Sequence, residues 1–302
     1  MLAQTAATWK LDQRVSVSGG EAATGVFGQG PPVVLVHGTP ASSYLWRGVV
    51  PLLARDHTVH VWDLLGFGGS RTAPGTTPSI ARQARTLAEL TEHWGLAEPT
   101  LVGHDIGGGI VARAHLVERV PVRRLVLLNA ALLGPWNTPF TEHQQRHSDV
   151  YRTMPADIFG DLIAARFRTA THHPMTQETA DGYLAPWAGR DGQQRWLDQV
   201  TAVSHEDTRE AVARLGEITV PTLVLWGEQA VSYMCIRDSP RSGPLRSRGR
   251  PPGHREGAAA LLHLKRVADA VGCGGSALRM TRGADDAGCG KGAGGQFRAG
   301  CL

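Results

Sequence analysis

Cysteine is absent from the first 234 residues; all four, Cys235, Cys273, Cys289 and Cys301, fall in the last quarter. A disulfide framework for the body of the chain is therefore excluded. No apolar run approaches the ~18–20 residues of a membrane span. Residues 1–10 (MLAQTAATWK) lack a basic stretch followed by an apolar one, so no secretory leader and no membrane partner are expected. A cytoplasmic setting is the matching expectation. Charge is modest at 19%, but 42% of residues are hydrophobic, which excludes wholesale disorder, a collagen-like chain and a coiled coil. The 302 residues suffice for one large α/β domain or two ordinary ones.

Tryptophan and tyrosine are absent from residues 241–302, whereas all eight tryptophans precede position 227. The same 62 residues hold 11 Lys+Arg against 4 Asp+Glu; the first 240 hold 20 against 23. The net charge of +4 thus belongs to the tail, and the body is mildly acidic. Too few aromatics for base stacking and no charge stripe argue against a nucleic-acid partner. Residues 232–239 (SYMCIRDS) resemble a translated sequencing-library adapter, and 14 Gly and 9 Arg follow in residues 241–302. Outside residues 258–271 no apolar period is kept. Residues 230–302 are accordingly expected to be an aberrant, low-order tail, out of frame or chimeric, that does not complete the fold.

The body alternates between two periods. Residues 31–38 (PPVVLVHG) form an apolar run closed by glycine, as expected of a strand buried on both faces of a parallel sheet. Residues 57–64, 100–104, 124–130 and 221–227 repeat the pattern. Between them, residues 80–94 place Ile80, Ala84, Leu87 and Ala88 near one helical face, and residues 106–120 run without proline. Strand–helix alternation predicts an α/β fold with a mostly parallel sheet and helices on both faces. Residues 11–30 hold two weaker strands, an expected antiparallel edge hairpin. The rhythm breaks between about 135 and 215, where an inserted helical cap is expected. The predicted divisions are a first core part (1–134), the cap (135–215), the last recognisable core strand (216–229) and the tail (230–302).

One motif carries chemistry. Gly103-His104-Asp105-Ile106-Gly107 lies between a strand and a helix, in the pattern of a nucleophile elbow with aspartate at its centre. The flanking glycines are required because the turn is sharp and a side chain two positions away would clash. A helix N-terminus there favours an anion. The alternative reading makes Asp105 a helix N-cap. His37-Gly38-Thr39-Pro40, past another strand, would supply the Thr39 N–H to an oxyanion hole shared with the Ile106 N–H; alone it reads equally as a strand-ending turn.

Together, residues 33–47 (VVLVHGTPASSYLWR), 63–70 (DLLGFGGS), 101–108 (LVGHDIGG) and 123–133 (RRLVLLNAALL) resemble the α/β-hydrolase superfamily. The likeness is closest to its aspartate-nucleophile branch, the haloalkane dehalogenases and epoxide hydrolases, and covers roughly residues 10–229. It implies a hydrolase without cofactor or metal, acting on a small apolar organic substrate. A carboxylate attacking acyl carbon would give a labile anhydride, so an aspartate suits a saturated carbon bearing a leaving group. The product is an alkyl ester on Asp105, which activated water then cleaves.

A departing halide needs N–H donors, and the dehalogenases place a tryptophan directly after the nucleophile, where this chain has Ile106. An opening epoxide needs a proton, supplied in the epoxide hydrolases by cap tyrosines; Tyr151 and Tyr183 are the candidates. His37 and Trp187 complete the expected pocket residues, and Trp136 and Trp196 are further cap aromatics; each aromatic reads also as cap core. His104 is expected to be structural, and the His172-His173 pair lacks a third ligand at metal spacing. The triad is incomplete: Asn129 and Ala230 stand where the family places its acid, with Glu228 nearby, and His254 is the weak candidate for the histidine. The chain as written is therefore expected to be inactive. The rival readings are a non-catalytic small-ligand-binding protein of this fold, or a carboxylic-ester hydrolase relative.

Overall fold

The computed structural model describes residues 8–134, 136–168, 170 and 175–225. The expectations for residues 230–302, for Glu228, Ala230 and His254, and for the His172-His173 pair lie outside the described residues.

An antiparallel hairpin opens the chain, β1 (Gln13–Val17) and β2 (Gly20–Phe27), in the stretch read as an edge hairpin. The apolar runs then form β3 (Pro32–Val36), β4 (Thr58–Trp62), β6 (Thr100–His104), β7 (Arg124–Leu128) and β8 (Thr222–Leu225). A two-residue strand, β5 (Arg71–Thr72), pairs with β2. The sheet order among the described residues is β1-β2-β4-β3-β6-β7-β8, parallel from β4 through β8. β3 and β4 are buried along almost their whole length, as their Val/Leu-rich sequences require of strands covered on both faces.

A short helix, α1 (Val50–Leu53), lies between β3 and β4. Helix α2 (Ile80–His93) starts where Ser79 Oγ accepts the Arg82 N–H at 3.2 Å. Its stripe of Ile80, Ala84, Leu87 and Leu90 is fully buried, and each of the larger side chains contributes about 1.5–3 kcal/mol. Helix α3 (Ile106–Leu116) stops short of the 106–120 read from the sequence. The reason is local: Arg119 turns into the left-handed region at φ 64° and Pro121 follows, which ends helical hydrogen bonding.

Between β7 and β8 lie α4 (Pro139–Arg146), α5 (Ser148–Thr153), α6 (Ala156–Arg168), α7 (Gln177–Leu184), α8 (Gly189–Ala202) and α9 (Glu206–Ala213). α8 is the hub of this insertion; α4, α5 and α6 all pack on it. α9 falls inside the 135–215 stretch read as cap but packs against α2 and α3 of the core. The cause is polar: Asp207 Oδ2 accepts the Ile80 N–H at 3.1 Å, and Arg113 Nη1 donates to the Asp207 carbonyl at 3.0 Å. Among the described residues no helix is long and apolar enough to cross a membrane.

Candidate active site

β6 ends at His104 and α3 begins at Ile106, which leaves a single residue to turn the chain. Asp105 does so at φ 56°, ψ −125°, a conformation costing about 1–3 kcal/mol in a residue with a Cβ. Its backbone is clamped by the end of β7 and the loop beyond it. Asp105 N–H donates to the Leu128 carbonyl at 3.1 Å, and Ala131 N–H to the Asp105 carbonyl at 2.9 Å. The neighbouring glycines are needed for space. A Cβ on Gly103 would lie 2.2 Å from the Gly107 carbonyl oxygen, and one on Gly107 2.4 Å from that of Val36.

The Asp105 side chain is buried, and Thr39 N–H donates to its Oδ1 at 2.7 Å. The Ile106 amide, next in the chain, also favours the ionised form of this carboxyl. An N-cap side chain would instead accept from the second or third helical residue, and Asp105 makes no such bond. Burial pushes its pKa up to about 7, against the opposing pull of the Ile106 and Thr39 amides and the charge of Arg166. The loop carrying Thr39 is held tightly to Asp105, because a Cβ on Gly38 would sit 2.3 Å from its Oδ1.

Above Asp105 lies a cavity of about 590 Å³ counted out to its mouth. The core contributes Thr39, Pro40 and Ile106 to its wall. The insertion contributes apolar surface (Phe140, Trp196, Val200) and polar side chains (Gln144, Arg166, Gln199).

The structure thus brings Asp105, Thr39 and Ile106 together, but His37, Tyr151, Tyr183 and Trp187 do not line this cavity. His37 is a latch. The Leu64 N–H donates to its Nε2 at 2.9 Å, so Nδ1 carries the proton and faces the Gly38 carbonyl at 3.0 Å. Burial lowers its pKa and fits this neutral tautomer. Tyr151 bonds His143 Nδ1 through its hydroxyl at 2.9 Å, and the Tyr183 hydroxyl accepts from Arg47 at 3.5 Å. Trp187 lies one layer back: its Nε1 donates to the Pro40 carbonyl at 2.9 Å and its ring meets Trp196 edge-on. His104 is half-buried, and desolvation pushes its pKa down to about 4. Asn129, at φ 43°, follows β7 in the place where a carboxylate was sought.

Gln144, Gln199 and Arg166 carry no sequence signal of their own. They stand singly on helices, and only the folding of the insertion over the sheet places them at the cavity. The 63–70 motif proves to be scaffolding. Asp63 accepts the Ser43 N–H at 2.7 Å and the Gly69 N–H at 2.8 Å, fastening two loops beside β4.

The α/β-hydrolase fold family matches residues 31–230, about two thirds of the sequence. The chain belongs to the α/β-hydrolase fold family. Within it, haloalkane dehalogenase 2 of Mycobacterium tuberculosis is 31% identical over 217 residues, 68% of this chain and 73% of the relative. A soluble epoxide hydrolase of Corynebacterium sp. is 39% identical over 102 residues, 34% of this chain and 35% of the relative. Among solved structures, an α/β-hydrolase fold protein of Burkholderia ambifaria superposes with a TM-score of 0.70 at 33% identity, covering 73% of this chain and 81% of that one. The α/β-hydrolase assignment makes the chain a hydrolase and accounts for the parallel sheet, the elbow and the helical insertion between β7 and β8.

Proposed function

We propose that this α/β-hydrolase cleaves a carbon–halogen or epoxide carbon–oxygen bond at saturated carbon through an alkyl ester on Asp105. The observation that carries the proposal is the Asp105 carboxyl itself, seated at the elbow with Oδ1 on the Thr39 N–H at 2.7 Å. The other carboxyl oxygen attacks carbon in line. The C–X bond breaks, and its electron pair leaves with the halide or with the epoxide oxygen, which takes up a proton. Oδ1 then becomes the carbonyl oxygen of the ester, already held by the Thr39 N–H, with the Ile106 amide as the second donor of the proposed oxyanion hole. Water attacking the carboxyl carbon drives negative charge onto that same oxygen, where each amide is worth about 3–4 kcal/mol of barrier. The dehalogenase and epoxide-hydrolase relatives support this reaction class.

Activating the water requires a histidine. Among the described residues none lines the cavity. The proposal therefore includes that the chain as written halts at the ester. Incubation with a bromoalkane or an epoxide, followed by intact-mass and peptide analysis, should show one adduct per chain, on Asp105. Replacing Asp105 by Asn should remove it. With a histidine-bearing family C-terminus supplied, turnover in ¹⁸O-water should place label in the Asp105 carboxyl. An adduct on another residue, or label only in product during the first turnover, would overturn the proposal.

A further inference from the structure

A glutamine buried in a largely apolar wall needs a hydrogen-bond partner. Gln199 is 1% exposed, and its neighbours at the cavity, along α8 and just past its end, are Trp196, Val200 and Val203, at the spacing of one helical face. The partner of its Oε1 lies outside the insertion: Thr39 Oγ1 donates to it at 3.0 Å. Thr39 also gives its N–H to Asp105 Oδ1 at 2.7 Å. One residue of the core loop thus joins the carboxyl through its backbone and α8 through its side chain.

The flanks of this loop are fixed within the core. His37 takes the Leu64 N–H at 2.9 Å, and the Ala41 N–H donates to the Gly38 carbonyl at 3.0 Å. The centre is held differently. Pro40 has no N–H. Among the described residues, the hydrogen bonds that Thr39 and Pro40 make away from Asp105 both join them to the insertion, at Gln199 and at Trp187 Nε1. α8 is a firm support. Near its start, Gln193 Nε2 donates to the Tyr151 carbonyl at 2.7 Å; near its end, Gln145 Nε2 donates to the Val200 and Val203 carbonyls, both at 2.8 Å. Threonine is stiff at χ1, so a held Oγ1 also fixes the direction of the backbone N–H on the same residue.

We infer that Gln199 is a positioning residue, which from α8 holds the Thr39 hydroxyl and so aims the Thr39 N–H at the Asp105 carboxyl. The inference rests on the proposed role of Asp105 and extends its machinery into the insertion. A neutral amide suits the task. A glutamate there would set a second negative charge in the same cavity wall, and a lysine would offer no acceptor.

The test follows the Asp105 titration in two ways. One is the pH dependence of adduct formation by the full chain with bromopropane or propylene oxide. The other needs no reaction: the carboxyl resonance of ¹³C-aspartate-labelled chain, assigned by its loss in Asp105→Asn. Thr39→Val keeps the shape and removes the hydroxyl; Gln199→Met keeps the length and removes the acceptor. With the amide no longer aimed, each should raise the midpoint from about 7 by about one pH unit. Adduct formation at pH 7 then falls about fivefold, yet at about pH 9.5 it stays within about twofold of the parent chain. Arg166, whose charge reaches Asp105, is untouched in both variants. The double variant should match either single one, and Thr39→Ser should keep the parent midpoint. An unmoved midpoint, shifts that add in the double variant, or an equal loss of rate at both pH values overturns the inference. If Gln199→Met does not fold, Thr39→Val and Thr39→Ser decide it: a shift in the first alone supports the inference, and the same midpoint in both overturns it. Resonance midpoints that move as stated, with no adduct on Asp105 from either reagent, support the positioning of the Thr39 amide and overturn the nucleophile reading instead.

Discussion

Asp105 is a carboxyl group whose burial works against its chemistry. Buried, it holds its proton up to about pH 7, whereas an unfolded aspartate releases it near 3.8. Between those values the native state binds more protons than the unfolded one, so stability falls as pH rises from about 4 to about 7 and levels off above. The full displacement corresponds to an upper bound of about 4 kcal/mol. Asp105→Asn removes the ionisation and should stabilise the protein by about 2–4 kcal/mol at pH 8 and by almost nothing at pH 4. Denaturant melts at the two pH values check this; an equal gain at both would show that charge burial is not the cause. In the proposed reaction only the ionised carboxylate attacks, so the same titration bears on reactivity. Alkylation of Asp105 should climb with pH and reach its plateau above about 7. A rate flat from pH 5 to 9 would mean that the group is ionised throughout.

The strand-to-helix elbow shows how a short element depends on missing side chains. A Cβ on Gly107 would press on the carbonyl oxygens of Val36 and His37, at 2.4 and 2.6 Å, and neither backbone group can move without disturbing β3. Gly107→Ala should cost about 3 kcal/mol or more. It should also abolish adduct formation, because the Thr39 loop continues directly from those residues. Gly160, inside α6, has open space where a Cβ would go. Gly160→Ala should therefore stabilise the protein by about 0.5–1 kcal/mol. Thermal melts of the two variants should move in opposite directions. The boundary between core and insertion is also drawn at this scale. Asp207 of α9 caps α2, and Asp207→Ala should cost about 1–2 kcal/mol, read from the urea midpoint.

At the scale of the molecule, the insertion meets the core at a few polar seams. Trp187 Nε1 reaches the Pro40 carbonyl, Thr39 Oγ1 reaches Gln199 Oε1, and Arg47 Nη2 donates to Thr179 Oγ1 at 3.3 Å. Two of the three touch the Thr39-Pro40 loop, so the position of the insertion and that of the Thr39 amide are coupled. Trp187→Phe keeps most of the packing against Phe67 and Trp196 but leaves the Pro40 carbonyl without its donor. The expected cost is about 1 kcal/mol. Hydrogen exchange should show faster opening in α7 and α8, with β3, β6 and β7 unchanged. Uniform loss of protection across sheet and insertion would mean that the two open as one unit.

The sequence by itself determined the local periods and the sterically forced turns. Val/Leu runs closed by glycine specify strands buried on both faces, the stripe of Ile80, Ala84 and Leu87 specifies a docking helix, and the spacing of Gly103 and Gly107 around Asp105 specifies the elbow. The periods, and the contact of Gly103 with Gly107, arise within a few residues, which is why they were legible; the contact of Gly107 with Val36 and His37 is tertiary. Only the tertiary structure decided what surrounds the carboxyl. His37 faces Leu64 and not the cavity, the Tyr151 hydroxyl pairs with His143, and the Tyr183 hydroxyl accepts from Arg47. Gln144, Gln199 and Arg166, from three different helices, converge above Asp105. No sequence period records that convergence. It depends on how the described helices between β7 and β8 pack on α8 and on the core, and each of these side chains would read as an ordinary helix surface if that packing were different.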